Sequence, residues 1–140
     1  MLVFDGPTVY HVVSRSALDG FPLGDVEKDY LLQLIRRLSS VYFAEVLGFS
    51  LLGNHLHLVV RMHPGEIVSD AEVRRRFAIY YGPDSDRELT DGQIQLLRTK
   101  WASLSEYVRE SKQTFSRYFN KRHGRRGFFW GERFKRLSDA

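Results

Sequence analysis

Polar and apolar positions change period several times along the chain, and each change marks an element. Residues 8–14 are dense in β-branched and aromatic side chains (Val9, Tyr10, Val12, Val13) and predict a strand. Gly20, Pro22 and Gly24 make 16–24 a loop, after which Asp25 is placed to act as an N-cap. Over 26–38, Tyr30, Leu31, Leu34 and Leu38 recur near helical spacing with Arg36 and Arg37 between them, which predicts an amphipathic helix. Residues 41–52 predict a second strand. Gly53-Asn54 is a turn signal, and 55–62 predict a third strand paired with the second as a hairpin. His63-Pro64-Gly65 ends it.

Residues 66–95 are less regular. A helix is expected over 68–81, carrying the basic run Arg74-Arg75-Arg76 as a solvated face or a second patch for DNA. Gly82-Pro83-Asp84 breaks it, and 85–95 read as a polar loop or short helix. The stretch is too short for its own core and reads as an insertion in a single domain spanning 1–140. The longest helical pattern covers 96–121, with Leu97, Trp101, Leu104, Val108, Phe115 and Phe119 near one face and Gly124 as its stop. Residues 127–134 are aromatic and basic, with no clear period. Strand, helix, strand, strand and then helices predict an α+β fold: a ferredoxin-like antiparallel sheet with helices packed on one face. A fourth strand is expected from the insertion, from the C-terminal end or from a partner chain.

Charge sharpens the picture. Ten of the 21 Lys and Arg residues fall in 107–140 against three acids, so this quarter of the chain carries +7 and the remainder −3 of the net +4. Basic charge gathered at one end is the footprint expected where phosphates are gripped; the plainer reading is a solvated basic helix. The absence of cysteine excludes disulfides, thiolate metal sites and a Cys nucleophile. No apolar run approaches the ~18 residues that read as a membrane span, and the first residues lack the basic start of a signal peptide, so a cytoplasmic protein with no membrane partner is expected.

His55-Leu56-His57 is the main candidate for chemistry. Strand side chains alternate, so His55, His57, Val59 and Arg61 share one face, and Leu56, Leu58 and Val60 take the core side. The two imidazoles stand roughly 6–7 Å apart at the backbone and can converge on one ion, leaving positions open for substrate oxygens. The plainer reading is two half-exposed histidines on a polar sheet face. A histidine-triad nucleotide hydrolase would want a third alternating His, where this chain has Val59.

Tyr10-His11-Val12-Val13-Ser14-Arg15, followed by Gly53-Asn54-His55-Leu56-His57-Leu58-Val59-Val60, resembles the transposase domain of REP-associated and related single-tyrosine HUH elements. So do Leu104-Ser105-Glu106-Tyr107, Lys112-Gln113, the segment from Phe115 to Asn120, and Gly127 with the segment from Phe129 to Lys135. The motifs occur in family order and span most of the chain except about 66–95. The resemblance implies metal-dependent cleavage and joining of single-stranded DNA beside a hairpin, through a 5′-phosphotyrosine link, with Mg²⁺ or Mn²⁺ on His55 and His57, in a homodimer. One departure stands out. The family's nucleophile lies in a Tyr-x-x-x-Asn segment downstream of the aromatic-basic signature, whereas no Tyr follows Tyr118 here, so a piece of a longer protein is expected ahead of a decayed one.

Tyr107 and Tyr118 are the nucleophile candidates the chain itself offers, although Ser111 and Arg122, four residues on, are poor metal ligands. Lys112, Arg117, Lys121, Arg122, Arg125, Arg126, Arg133 and Lys135 are candidate phosphate contacts, and Phe128, Phe129 and Trp130 are candidate stacking partners for unpaired bases; the plainer reading, favoured for Trp130, is that they close the core under the long helix. Arg61 shares the His face and is a further candidate to neutralise a phosphate. His11 is expected near the pair, chiefly in a structural role. The alternatives are a catalytically incomplete module that binds DNA hairpins, and a small metal-dependent nucleotide hydrolase.

Overall fold

A computed structural model describes residues 6–131 and the backbone of 135–138. The elements in order are β1 (Thr8–Arg15), α1 (Asp25–Ser39), β2 (Ala44–Leu51), β3 (His55–Met62), α2 (Asp70–Tyr81), α3 (Asp91–Trp101), α4 (Leu104–His123) and β4 (Lys135–Ser138), with short 3₁₀ turns before and after α2. The strands form one antiparallel sheet in the order β2-β3-β1-β4. That is the ferredoxin-like antiparallel sheet expected, and of the three sources open to it the fourth strand comes from the C-terminal end of the chain.

β3 is central because its alternation is strict: Leu56, Leu58, Val60 and Met62 are buried and the residues between them are half-exposed. Val12 of β1 lies opposite Leu58 and joins the same buried face. Against it pack Leu31, Leu34, Ile35 and Leu38 of α1, and Leu104, Tyr107, Val108, Phe115 and Phe119 of α4. Each such aliphatic side chain contributes about 1.5–3 kcal/mol by leaving water. No helix of the described residues is long and apolar enough to cross a membrane.

Four boundaries differ from the sequence expectation, each for a local reason. Gly24, not Asp25, is the N-cap of α1, and its N–H is taken by the Glu27 carboxylate at 3.1 Å. Residues 41–43 form a buried corner ahead of β2 rather than its first turn of strand, with Phe43 N–H bonded to the Trp101 carbonyl at 2.9 Å. Of the two readings of 85–95 the helical one holds, but the helix runs past that stretch to Trp101: Thr90 caps α3 through a capping box with Gln93. The single helix expected over 96–121 is two helices. Ser103 accepts the N–H of Glu106 at 3.2 Å and starts α4 afresh after Trp101.

The arginine run of α2 is a solvated face only at Arg75, and it is not a free basic patch. Arg74 donates to the carbonyls of Asp86 and Leu89, Arg75 pairs with Glu72, and Arg76 reaches the carbonyls of Val41 and Tyr42. Val73 and Ile94 bring this region into the common core.

Candidate functional site

The sheet has one face covered by helices and one on which polar side chains stand. On the second face His55 and His57 alternate along β3, with ring centroids 6.0 Å apart. Arg15 of β1 is in register with His55, and Ser50 of β2 with His57. His11 is in register with Val59, and its Nε2 lies 3.5 Å from His57 Nδ1. A shallow depression of about 370 Å³ opens between His11, His57, Ser50 and Leu52.

The β2–β3 turn orients the first imidazole. Asn54 Oδ1 lies 2.7 Å from His55 Nδ1. An amide oxygen can only accept, so Nδ1 carries the proton and the Nε2 lone pair is left for an ion. The turn itself is pinned from the β1–α1 loop: Ser16 N–H donates to the Asn54 carbonyl at 3.0 Å and Leu23 N–H to that of Gly53 at 2.8 Å. Among the described residues no three His, Asp or Glu side chains group as an ion site. The candidate is therefore an imidazole pair with the remaining positions open.

Neither helical tyrosine reaches this face. Tyr107 is fully buried on the helix side of the sheet, its hydroxyl shared with Ser39 at 2.8 Å, and burial pushes its pKa up to about 12. Tyr118 packs against the core and stacks on Tyr30, centroids 3.5 Å apart. Both belong to the layer opposite the histidines, which corrects their candidacy as nucleophiles. Tyr10, the strand tyrosine, is in register with Val60 and faces the core, and the other four lie on α1, α2 and the corner before β2.

The basic and aromatic candidates separate. Phe129 and Trp130 are 0% and 7% exposed, and the Trp130 indole N–H donates to the Lys112 carbonyl at 3.1 Å. Trp130 closes the core and offers no open ring to a base. Phe128, between these rings and Arg126, is 86% exposed. Lys112 lies half-buried over the Trp130 ring, and burial lowers its pKa. Arg122 pairs with Glu27 at 3.1 Å, Arg125 is bonded to Asn120 at 2.7 Å, and Arg61 is taken by Glu45 at 3.0 Å. Arg117, Lys121 and Arg126 are exposed. Arg133 and the Lys135 side chain lie outside the described residues.

Two residues of this face escaped sequence reasoning. In the sequence Arg15 is only part of a motif, yet its alternation with His11 and its register with His55 give it the histidine face. Asn54 read as a turn residue, and only its side chain's position reveals the bond to His55.

No protein-family model and no curated protein matches the chain. Solved structures do. A REP-associated tyrosine transposase bound to a REP hairpin superposes over 100% of this chain at 14% identity and a TM-score of 0.57, and the chain spans 60% of that protein's length. A candidate transposase from Deinococcus radiodurans R1 matches over 99% of this chain and 82% of its own, at 14% identity and a TM-score of 0.51. At that identity the likeness is one of fold, and the chain has the fold of these transposase structures.

Proposed function

We propose that this chain is the DNA-handling domain of a metal-dependent transesterase that cuts and joins single-stranded DNA beside hairpins. The observation that carries the reading is the pair His55 and His57 on the uncovered face of a sheet whose fold is shared with a hairpin-bound tyrosine transposase. The pair fits a divalent ion, because Asn54 holds the Nδ1 of His55 and turns its Nε2 outward. Bound Mg²⁺ or Mn²⁺ would supply Lewis-acid polarisation of the scissile phosphate. Arg15, beside His55, neutralises phosphate charge on the same face. Lys121 and Arg126 hold the DNA backbone without reading sequence. The attacking hydroxyl of this reading is a tyrosine's from outside α4: its oxygen bonds to the scissile phosphorus, the P–O3′ bond breaks and a 3′-OH leaves, giving a 5′-phosphotyrosine link that a 3′-OH later attacks to join strands and free the tyrosine.

A second reading, a hairpin-binding module without cleavage, is favoured by one observation: none of the seven tyrosines stands on the histidine face. Titration calorimetry with Mn²⁺ and hairpin-binding measurements test both readings. Mn²⁺ binding should vanish in His55→Ala/His57→Ala while hairpin affinity survives. Undiminished ion binding by the double variant would remove the metal site. A wild-type chain that binds hairpin DNA but no Mn²⁺ would leave the binding module.

A further inference from the structure

We propose that Phe128 is a stacking platform for one unpaired base of the bound DNA strand. The inference rests on the DNA-handling reading and adds to it where a base is held. A phenyl ring left 86% exposed, while Phe129 and Trp130 beside it are buried, has no role in the core.

The segment that presents the ring is tied down. Gly124 ends α4 in the left-handed region, which lets Arg125 N–H turn back to the Asn120 carbonyl at 2.9 Å. Arg125 then spans the loop: it donates to Asn120 Oδ1 at 2.7 Å and to the Phe128 carbonyl at 3.3 Å, with its guanidinium over Phe119. The Asn120 amide holds the Gly127 carbonyl at 3.0 Å, and Gly127 has φ +96°, a turn that a Cβ would strain. On the far side, Ala17 N–H donates to the Phe129 carbonyl at 2.7 Å. The backbone at Phe128 is thus held between two anchors, so ordering the loop on binding costs little.

The surroundings select the partner. Lys121 and Arg126 are exposed and have no carboxylate partner among the described residues, which suits a phosphate backbone. Trp130 bridges to Ser16, whose N–H bonds the Asn54 carbonyl beside His55. Trp130, two residues beyond Phe128, and Asn54, next to His55, therefore stand at one end of the sheet, two strand spacings or about 10 Å apart. A base on Phe128 would place its strand at the histidine end of the sheet. An aromatic face with flanking cations is the chemistry that holds an unpaired base irrespective of its identity.

The test compares a blunt DNA hairpin with the same hairpin carrying a short single-stranded tail that contains 2-aminopurine. Binding of the full chain, Phe128→Ala and Phe128→Trp is followed by anisotropy and by 2-aminopurine fluorescence. Phe128→Ala should weaken binding of the tailed hairpin by about 5- to 150-fold, leave the blunt hairpin unchanged, and abolish the quenching. Phe128→Trp should restore both affinity and quenching. Equal affinity of wild type and Phe128→Ala for the tailed hairpin would overturn the stacking role and leave the DNA reading intact. Failure of the wild-type chain to bind either DNA would overturn both. If Phe128→Ala instead shifts the oligomeric state in sedimentation and spares tail binding, the ring is a protein contact and the proposal falls.

Discussion

The amide oxygen of Asn54 faces the Nδ1 of its neighbour His55 at 2.7 Å, so the turn that closes the hairpin also sets the tautomer of the first imidazole on β3. Partners of this kind commonly govern ion affinity by about 10–100-fold. Asn54→Ala should therefore weaken Mn²⁺ binding by roughly that factor. Asn54→Asp, which keeps an acceptor, should recover most of it. Calorimetric titration reads the effect, with circular dichroism to confirm the fold. Equal ion affinity in Asn54→Ala and wild type would show that the turn does not tune the site.

The break between α3 and α4 gives a prediction about stability. Ser103 accepts from Glu106 N–H at 3.2 Å and is the N-cap of the helix carrying Tyr107, Phe115 and Phe119 into the core. Ser103→Ala should cost about 1 kcal/mol, seen as a lower urea midpoint at unchanged slope. Ser103→Asp should be close to neutral, since a carboxylate caps as well as a hydroxyl. A midpoint unmoved by the alanine change would mean that packing alone starts the helix.

The same cap shows what the sequence makes legible and what it hides. Strict alternation from His55 to Met62 fixes the faces of β3 from pattern alone, because one face is buried and the other is not. The break at Ser103 hides inside a continuous apolar stripe: Trp101 and Leu104 both enter the core, so periodicity runs through a boundary that only capping chemistry reveals. The aromatic segment after α4 has the opposite problem. Phe128, Phe129 and Trp130 are alike as letters, and their burial is decided by the distant partners Phe115 and Lys112. Tyr107 and Tyr118 likewise lose their candidacy through layer geometry, which no spacing along the chain encodes.

Arg76 locks α2 to the corner before β2. Its guanidinium reaches the carbonyls of Val41 and Tyr42 at 3.1 and 2.8 Å, pairs with Glu72 at 2.7 Å, and lies over the Phe43 ring. Arg76→Ala leaves these carbonyls short of a donor, at a cost of about 1–3 kcal/mol. Hydrogen exchange should show the amides of α2 opening ahead of those of β3. Arg76→Lys should recover only part of the loss, because an ammonium lacks the planar fork. Uniform loss of protection across α2 and β3 would show that this region does not open as a separate unit.

Glu27 couples the start of α1 to the end of α4, and its charge makes that coupling depend on pH. Burial by itself raises the carboxyl pKa, but hydrogen bonds from His123 at 3.2 Å, from the backbone and from Arg122 at 3.1 Å outweigh it and hold the pKa below 4.5. A carboxyl whose pKa is depressed in the folded state stabilises the fold above its unfolded pKa, and loses that contribution as pH falls through the folded value. Glu27→Gln keeps the shape and removes the charge. It should lower the urea midpoint at pH 7, and the gap to wild type should narrow below about pH 4.5. Added salt should narrow it at pH 7 as well, since Arg122 is half-exposed and its attraction is screened. A gap that stayed constant from pH 7 to pH 3 and with salt would assign Glu27 a purely steric role. The variant also releases Arg122, so hairpin affinity should hold or rise; a fall would mean that the ion pair, rather than a free guanidinium, presents this helix end to DNA.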